Sequence, residues 1–224
     1  MQLCKFKFRN ILVLAASLAC LQTLEAQKIN SNLAMVVNMP VGSTSEVAGT
    51  GWGAVGGVGY NINERNAVIG EFMWNRMYPS GSVLRPLQTP ASPSGNLNGN
   101  SNLYALSGNY RYELRGRMLG TYLIGGGGWY FRKNWLSTEV TSRAGAVCTP
   151  AWLWWGFTCA SGAVTANQTL ATSTTNAWGV NAGIGFTVRV GEAPYRLYTE
   201  ARYHYAPTKN LSTQFIAVTI GIRY

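Results

Sequence analysis

Few side chains in this sequence could perform acid–base or metal chemistry. The chain of 224 residues has one histidine, His204, and no aspartate. Metal sites need clustered His, Cys, Asp or Glu ligands. We therefore predict no metal site, no other cofactor and no enzymatic activity. His204 lies four residues after Glu200, so both point to the same face of an extended strand. We interpret it as a hydrogen-bonding residue, because a general base must first reach its nucleophile.

A second group of residues carries charge at alternating positions of extended segments. Successive side chains of a β-strand point to opposite faces. These residues share the faces that carry glycine and small polar residues, so we expect them to line the inside of a narrow closed sheet. We favour an ion-pair network that fills the lumen, and the alternative is an ion path. The residues are Glu71, Arg111, Glu113, Arg189, Glu200, Arg202, His204 and Arg223.

Two cysteines, Cys148 and Cys159, lie close together within one predicted loop, whereas Cys4 and Cys20 belong to the N-terminal segment. In an exported chain this spacing predicts a disulfide, stabilising by on the order of 3 kcal/mol in the chain-entropy model. Clustered large apolar residues between them, aromatic except for one leucine, could form an exposed binding tip or pack on the rim of the fold. They are Trp152, Leu153, Trp154, Trp155 and Phe157.

Eight segments alternate apolar residues with small or polar ones and are separated by turns, which predicts an all-β chain. The long connections are the predicted loops 79–101 and 136–175. Which face of the fifth segment points outward is ambiguous, because it contains four consecutive glycines. The segments are Asn30–Met39, Gly49–Ile62, Ala67–Tyr78, Asn102–Leu114, Met118–Trp135, Asn176–Val190, Tyr195–Ala206 and Phe215–Tyr224.

The N-terminus reads as an export signal. Three basic residues precede the short apolar stretch Ile11–Ala19, and a plausible cleavage site ends at Ala26. This pattern predicts a signal peptide over residues 1–26 and a single domain over residues 27–224. The position three residues before Cys20 is Ser17 and not the leucine of a lipidation site, so we expect simple cleavage. The formal net charge of +10 is dispersed along the chain, which argues against a nucleic-acid partner.

Aromatic residues on the apolar faces sort to the two ends of the predicted strands. Bilayer interfaces select two such girdles, and short connections alternate with longer ones as in membrane barrels. The pattern predicts an eight-stranded antiparallel up-and-down transmembrane β-barrel with long extracellular loops and periplasmic termini. The outer girdle is Trp52, Tyr78, Tyr104, Trp178 and Tyr205, and the inner one is Tyr60, Tyr112 and Tyr224.

The final residues, F-I-A-V-T-I-G-I-R-Y from Phe215 to Tyr224, resemble the C-terminal strand signal that the assembly machinery of bacterial outer-membrane barrels recognises. With the strand pattern, the chain resembles the small eight-stranded outer-membrane barrels of the OmpA/OmpX-like type. The resemblance implies a monomer in the bacterial outer membrane, in contact with lipid and lipopolysaccharide and assembled by that machinery.

The resemblance also implies a non-enzymatic structural or surface-interaction role, including an adhesin-like one, through loops 79–101 and 136–175. One alternative is a narrow OmpW-like channel for small or apolar solutes. The weakest alternative is a lipid-modifying enzyme similar to the outer-membrane lipid A deacylases. Those enzymes place a serine two residues from the histidine, where this chain has Ala206.

Overall fold

Eight antiparallel strands form one closed sheet in the computed structural model. The structure describes residues 28–84, 97–115, 118–150, 157–191, 193–208 and 211–224. The predicted signal peptide, residues 1–26, lies outside this range and stays a prediction. The strands are β1 (Ile29–Pro40), β2 (Gly51–Asn61), β3 (Asn66–Met77), β4 (Leu97–Arg115), β5 (Leu119–Pro150), β6 (Phe157–Arg189), β7 (Arg196–Ala206) and β8 (Thr213–Arg223).

The strands neighbour one another in chain order, and β8 pairs with β1 to close the barrel. The predicted eight-stranded up-and-down fold is therefore confirmed. A 3₁₀ turn at Gly42–Thr44 follows β1, and a single helical turn, α1 (Gly81–Leu84), follows β3. Within the described ranges no helix has the length and apolar character needed to cross a membrane.

Alternation along each strand sorts side chains to the inside and outside of the barrel. In β1 the exposed residues Leu33, Met35 and Val37 alternate with the buried Ala34 and Val36. The other strands follow the same rule, because a strand closed into a barrel has one face toward the lumen and one toward the surroundings. Closure also pairs the backbone groups of both end strands, which a lipid environment demands.

The structure also settles the facing of the fifth strand. Tyr122, Ile124 and Tyr130 are buried inside, while Leu123 and Trp129 are exposed outside. The glycine run of β5 thus continues the ordinary alternation.

Inward glycines make room for large lumen side chains. A Cβ atom at Gly57 would lie 2.5 Å from Oδ1 of Asn32 and 2.7 Å from Cγ of Glu71. A Cβ atom at Gly185 would overlap the ring of Tyr122. The lumen is therefore packed so closely that glycine on one strand accommodates a long side chain from another.

The prediction of a loop over residues 136–175 is wrong. Strands β5 and β6 continue as an antiparallel pair up to Pro150 opposite Phe157, with register shifts at Leu136/Ser137 and Ala144/Val147. This stretch is rich in Ser, Thr and Ala and lacks the buried apolar face by which strands are recognised in a sequence. The predicted loop 79–101 also differs from the structure. It contains the short helix α1, and it ends earlier than expected because β4 already begins at Leu97.

The paired β5 and β6 strands extend past the rest of the sheet. Strand β4 accompanies β5 only as far as Leu97 opposite Thr138. Residues 139–150 and 157–167, which we call the β5–β6 ribbon, pair with each other beyond that point. At about 3.3 Å per residue, residues 139–150 extend roughly 40 Å. The ribbon leaves the barrel at the end opposite to both chain termini, since β1 begins and β8 ends at the other rim.

Candidate functional site in the barrel lumen and outer mouth

The outer surface of the barrel carries an apolar band with aromatic residues at both edges. At one edge Trp52 packs edge-to-face on Trp74 with ring centroids 5.4 Å apart, and Trp129 packs on Trp178 at 5.2 Å. Between the edges, none of the described outward-facing strand residues is charged. Such a band flanked by aromatic girdles is what a bilayer selects. The chain has the fold of a small eight-stranded outer-membrane barrel.

The predicted girdle residues lie on the outside, as the alternation requires. All of them are exposed except Tyr104, which is partly covered because it packs between Phe72 and Phe131. The exposed residues are Trp52, Tyr78, Trp178 and Tyr205 at the outer edge and Tyr60, Tyr112 and Tyr224 at the inner edge.

Arg202 is the centre of the lumen. Its Nη1 donates to Oε2 of Glu71 at 2.6 Å, and its Nε donates to Oε1 of Glu200 at 2.8 Å. Asn109 and Asn32 donate to the two oxygens of Glu71 at 2.7 and 2.8 Å. All five side chains are buried, so each charge in this group is compensated inside the barrel.

A second ion-pair group lies nearer the rim at which β1 begins and β8 ends. Nη1 of Arg223 donates to Oε1 of Glu113 at 2.7 Å, and Nε of Arg111 lies 2.8 Å from the same oxygen. The guanidinium of Arg223 also lies over the rings of Tyr122 and Tyr198, at 4.6 and 4.9 Å from their centroids. Cation–π contacts of this kind stabilise a desolvated guanidinium.

The two groups are joined and balanced. The hydroxyl of Tyr122 donates to Oε2 of Glu200 at 2.9 Å. Because the ring of Tyr122 also contacts Arg223, this tyrosine links the Arg202 group to the Arg223 group. The buried charged residues of the described chain are Glu71, Glu113 and Glu200 against Arg111, Arg202 and Arg223, so their formal charges cancel when His204 is neutral. A small cavity of about 10 Å³ lies beside Glu71 and Arg202. That volume holds about one water molecule.

His204 lies above the network, away from any exposed surface. Its Nδ1 is 2.8 Å from the hydroxyl of Tyr130, and its ring stacks on Phe215 at 4.6 Å with an interplanar angle of 4°. The nearby Glu200 carboxylate is held by Arg202 and Tyr122. The histidine therefore serves as a packed hydrogen-bonding residue. Within the described part of the chain no group of three or more His, Cys, Asp or Glu residues is placed to hold a metal.

The structure brings together all but one of the predicted lumen residues. Arg189 is the exception: it is exposed at the end of β6 and takes no part in the network, because strand ends project past the closed wall. The tyrosines Tyr122 and Tyr130 were not predicted, since the facing of β5 was ambiguous. Asn32, Asn109 and Asn181 also lie inside; strand alternation places them there, although the predicted network of charged residues did not include them.

A wide cavity, here called the mouth pocket, lies at the outer end above the filled lumen. Its volume is about 390 Å³, within the range of small-molecule sites. The buried residues Met77, Leu103 and Thr213 form its floor, and Trp135, Leu136 and Leu211 are among its walls.

The two mature-chain cysteines lie near the far end of the ribbon. The backbone of Cys148 is directly opposite that of Cys159 in the β5–β6 register. The predicted aromatic tip residues Trp152, Leu153, Trp154 and Trp155 lie outside the described residues, and Phe157 pairs through its backbone with Pro150. The disulfide and the exposure of the tip stay predictions.

No protein-family model matches this chain, and no curated protein is similar to it in sequence. Among solved structures, it is similar to Ail, the attachment invasion locus protein of Yersinia pestis, at 14% identity over 88% of this chain and 97% of that one, with a TM-score of 0.43.

Two further structures are comparable. For Neisserial surface protein A the identity is 14%, over 87% of this chain and 94% of that one, with a TM-score of 0.40. For the N-terminal barrel domain of Pseudomonas aeruginosa OprF it is 11%, over 88% and 98%, with a TM-score of 0.41.

Proposed function

We propose that this protein is a non-enzymatic outer-membrane barrel with a closed lumen that acts at the cell surface through its extracellular β5–β6 ribbon. The observation that carries this proposal is the lumen itself, where three buried glutamates and three buried arginines compensate one another. The 10 Å³ cavity among them leaves space for about one water. With the lumen filled, the outer surface is the part of the molecule available to a partner.

The ribbon has the features of an interaction surface. Both of its long edges lack a neighbouring strand among the described residues, since β4 begins opposite Thr138 of β5 and β7 pairs with β6 only from Val180 onward. Unpaired edges can add a strand from another molecule. Proteins usually block such edges with lysine or proline, but residues 139–150 contain one glutamate, one arginine and one terminal proline. The tip residues 151–156 add three tryptophans, a residue type enriched at binding hot spots.

The proposal includes the surroundings of the barrel. The apolar band contacts outer-membrane lipid, and the rim above it contacts lipopolysaccharide. The C-terminal strand is the element that the assembly machinery would bind, and the folded product is a monomer. A catalytic role finds no support at His204, because its ring is covered by Phe215 and hydrogen-bonded to Tyr130.

Conductance tests the closed lumen. Refolded residues 27–224 should give no discrete conductance steps in a planar bilayer, because the ion-pair network leaves no continuous aqueous path. A heat-modifiability gel on the same sample shows that silence comes from folded protein. Discrete steps from the folded barrel would overturn the closed-lumen proposal and favour the narrow channel.

Truncation of the ribbon tests the surface role. Thr138 and Gln168 face each other in the register, so an Asn-Gly turn can replace residues 139–167 and close the hairpin. We expect unchanged heat-modifiability, together with loss of binding by displaying cells to arrays of immobilised glycans and matrix proteins. Equal binding by cells carrying the full and the truncated chain would contradict the proposal.

The predicted disulfide should protect the ribbon without stabilising the barrel. A two-stranded hairpin is marginal alone, and a short loop closed by Cys148 and Cys159 gains on the order of 3 kcal/mol in the chain-entropy model. The pair Cys148→Ser/Cys159→Ser should leave barrel unfolding unchanged but speed proteolysis within residues 139–167. Two titratable thiols in the unreduced wild-type protein would show that the bond does not form.

A further inference from the structure

The mouth pocket combines an apolar lining with one charged group. Its described lining residues include no acidic side chain, and Arg132 is the only basic one among them. Its apolar members include Met77, Leu103, Leu136 and Leu211, from β3, β4, β5 and the segment before β8, and others come from the connection after β1, from α1 and from β6. A pocket built this way fits a ligand that is mostly apolar.

Arg132 lacks the compensation that the lumen arginines have. Its Nη1 donates to Oγ1 of Thr213 at 3.1 Å, while its Nε is buried and without a hydrogen-bond partner. None of the ion pairs found among the described residues includes it. Arg132 is partly buried, and a partly desolvated guanidinium without an anionic partner is less favourable than one in an ion pair, so an incoming anion would be stabilised there.

The two sides of Arg132 differ in polarity. Besides the mouth pocket, it lines a second cavity of about 730 Å³. The walls of this cavity are mixed, with Thr174, Thr175, Asn176 and Thr208 beside Ala177, Trp178, Pro207 and Leu211. The guanidinium therefore lies between a mostly apolar space and a more polar one. A molecule with a charged head and an apolar body matches this arrangement.

We propose that the mouth pocket binds an amphipathic monocarboxylate, such as a medium-chain fatty acid, with its carboxylate on Arg132 and its chain against Met77 and Leu103. The planar guanidinium presents paired donors suited to a carboxylate. A single arginine favours one negative charge over the multiple charges of a phosphorylated glycolipid. This inference goes beyond the proposed surface role and is independent of it, because the pocket lies above the closed lumen and outside the ribbon.

The test is calorimetric titration of octanoate into the barrel in zwitterionic lipid nanodiscs, with empty nanodiscs as the blank. Wild-type protein should bind octanoate saturably, and Arg132→Gln should weaken it by about tenfold or more, since charge-assisted hydrogen bonds are strong. The affinity for octanol, which has a chain of the same length without the charge, should change little in Arg132→Gln. Octyl phosphate should bind no more tightly than octanoate.

Two further variants test whether octanoate binds in the mouth pocket and whether its affinity depends on Arg132 in particular. Lys133→Gln removes the neighbouring cation, which lies against the ring of Trp135 and does not line the pocket, so octanoate binding should persist. Ala171→Trp adds bulk to an exposed position on the pocket wall and should abolish it while heat-modifiability is retained. Absence of saturable binding to the wild type, or equal losses in Arg132→Gln and Lys133→Gln, would overturn the proposal.

Discussion

Replacing Arg202 with glutamine should lower the free energy of unfolding by about 3–5 kcal/mol, the range for removing one partner of a buried ion pair. Arg202 is the residue that holds Glu71 and Glu200 together, with donor–acceptor distances of 2.6 and 2.8 Å. Without it, two buried carboxylates repel each other and lose their strongest donors. The measurement is urea-induced unfolding of the barrel in lipid vesicles, followed by tryptophan fluorescence.

Two controls separate this effect from loss of positive charge in general. Arg189→Gln changes an exposed residue at the barrel rim and should change the unfolding free energy by less than about 0.5 kcal/mol. Arg202→Gln combined with Glu71→Gln removes one charge of each sign, so it should be more stable than Arg202→Gln alone. Similar unfolding curves for Arg202→Gln and Arg189→Gln would mean that the network does not stabilise the barrel.

The facing of most lumen residues could be predicted from the sequence because a barrel strand has only two sides. In β7 the alternation of Leu197 and Tyr203 with Glu200 and Arg202 fixes which side chains point inward, and the structure agrees. The same rule failed in β5, where consecutive glycines present no difference between the faces. Tyr122, which joins the two ion-pair groups, went unnoticed for that reason.

Which residues meet across the lumen could not be predicted. Glu71 and Arg202 are separated by 131 positions, and their contact depends on the stagger of eight strands around the barrel, which alternation does not encode. The ribbon was missed for a different reason. Beyond Thr138 the hairpin has no barrel interior to face, so its strands show none of the apolar periodicity by which the others were recognised.

The second large loss of stability is expected from a substitution in the last strand, β8. Phe215 is fully buried and its ring stacks on His204, although its sequence position within the C-terminal signal pointed to a role in assembly. Phe215→Ala should lower the free energy of unfolding by about 3–5 kcal/mol, because it removes a large side chain from a packed core. Phe215→Leu should recover much of this loss. The same urea titration in vesicles measures both variants.

Substitution of Tyr224 distinguishes the role of β8 in barrel stability from its role in assembly. Tyr224 lies on the face of the strand opposite to Phe215 and is 68% exposed. Its backbone still pairs with Ser31, through N–H to carbonyl contacts of 2.9 and 3.3 Å, which a side-chain substitution leaves in place. Tyr224→Ala should therefore change the unfolding free energy by less than about 1 kcal/mol, yet reduce the amount of heat-modifiable barrel in the outer membrane of expressing cells. The reverse pattern, a stable Phe215→Ala barrel and a destabilised Tyr224→Ala barrel, would show that the exposed end, and not the lumen-facing ring, anchors the closing strand.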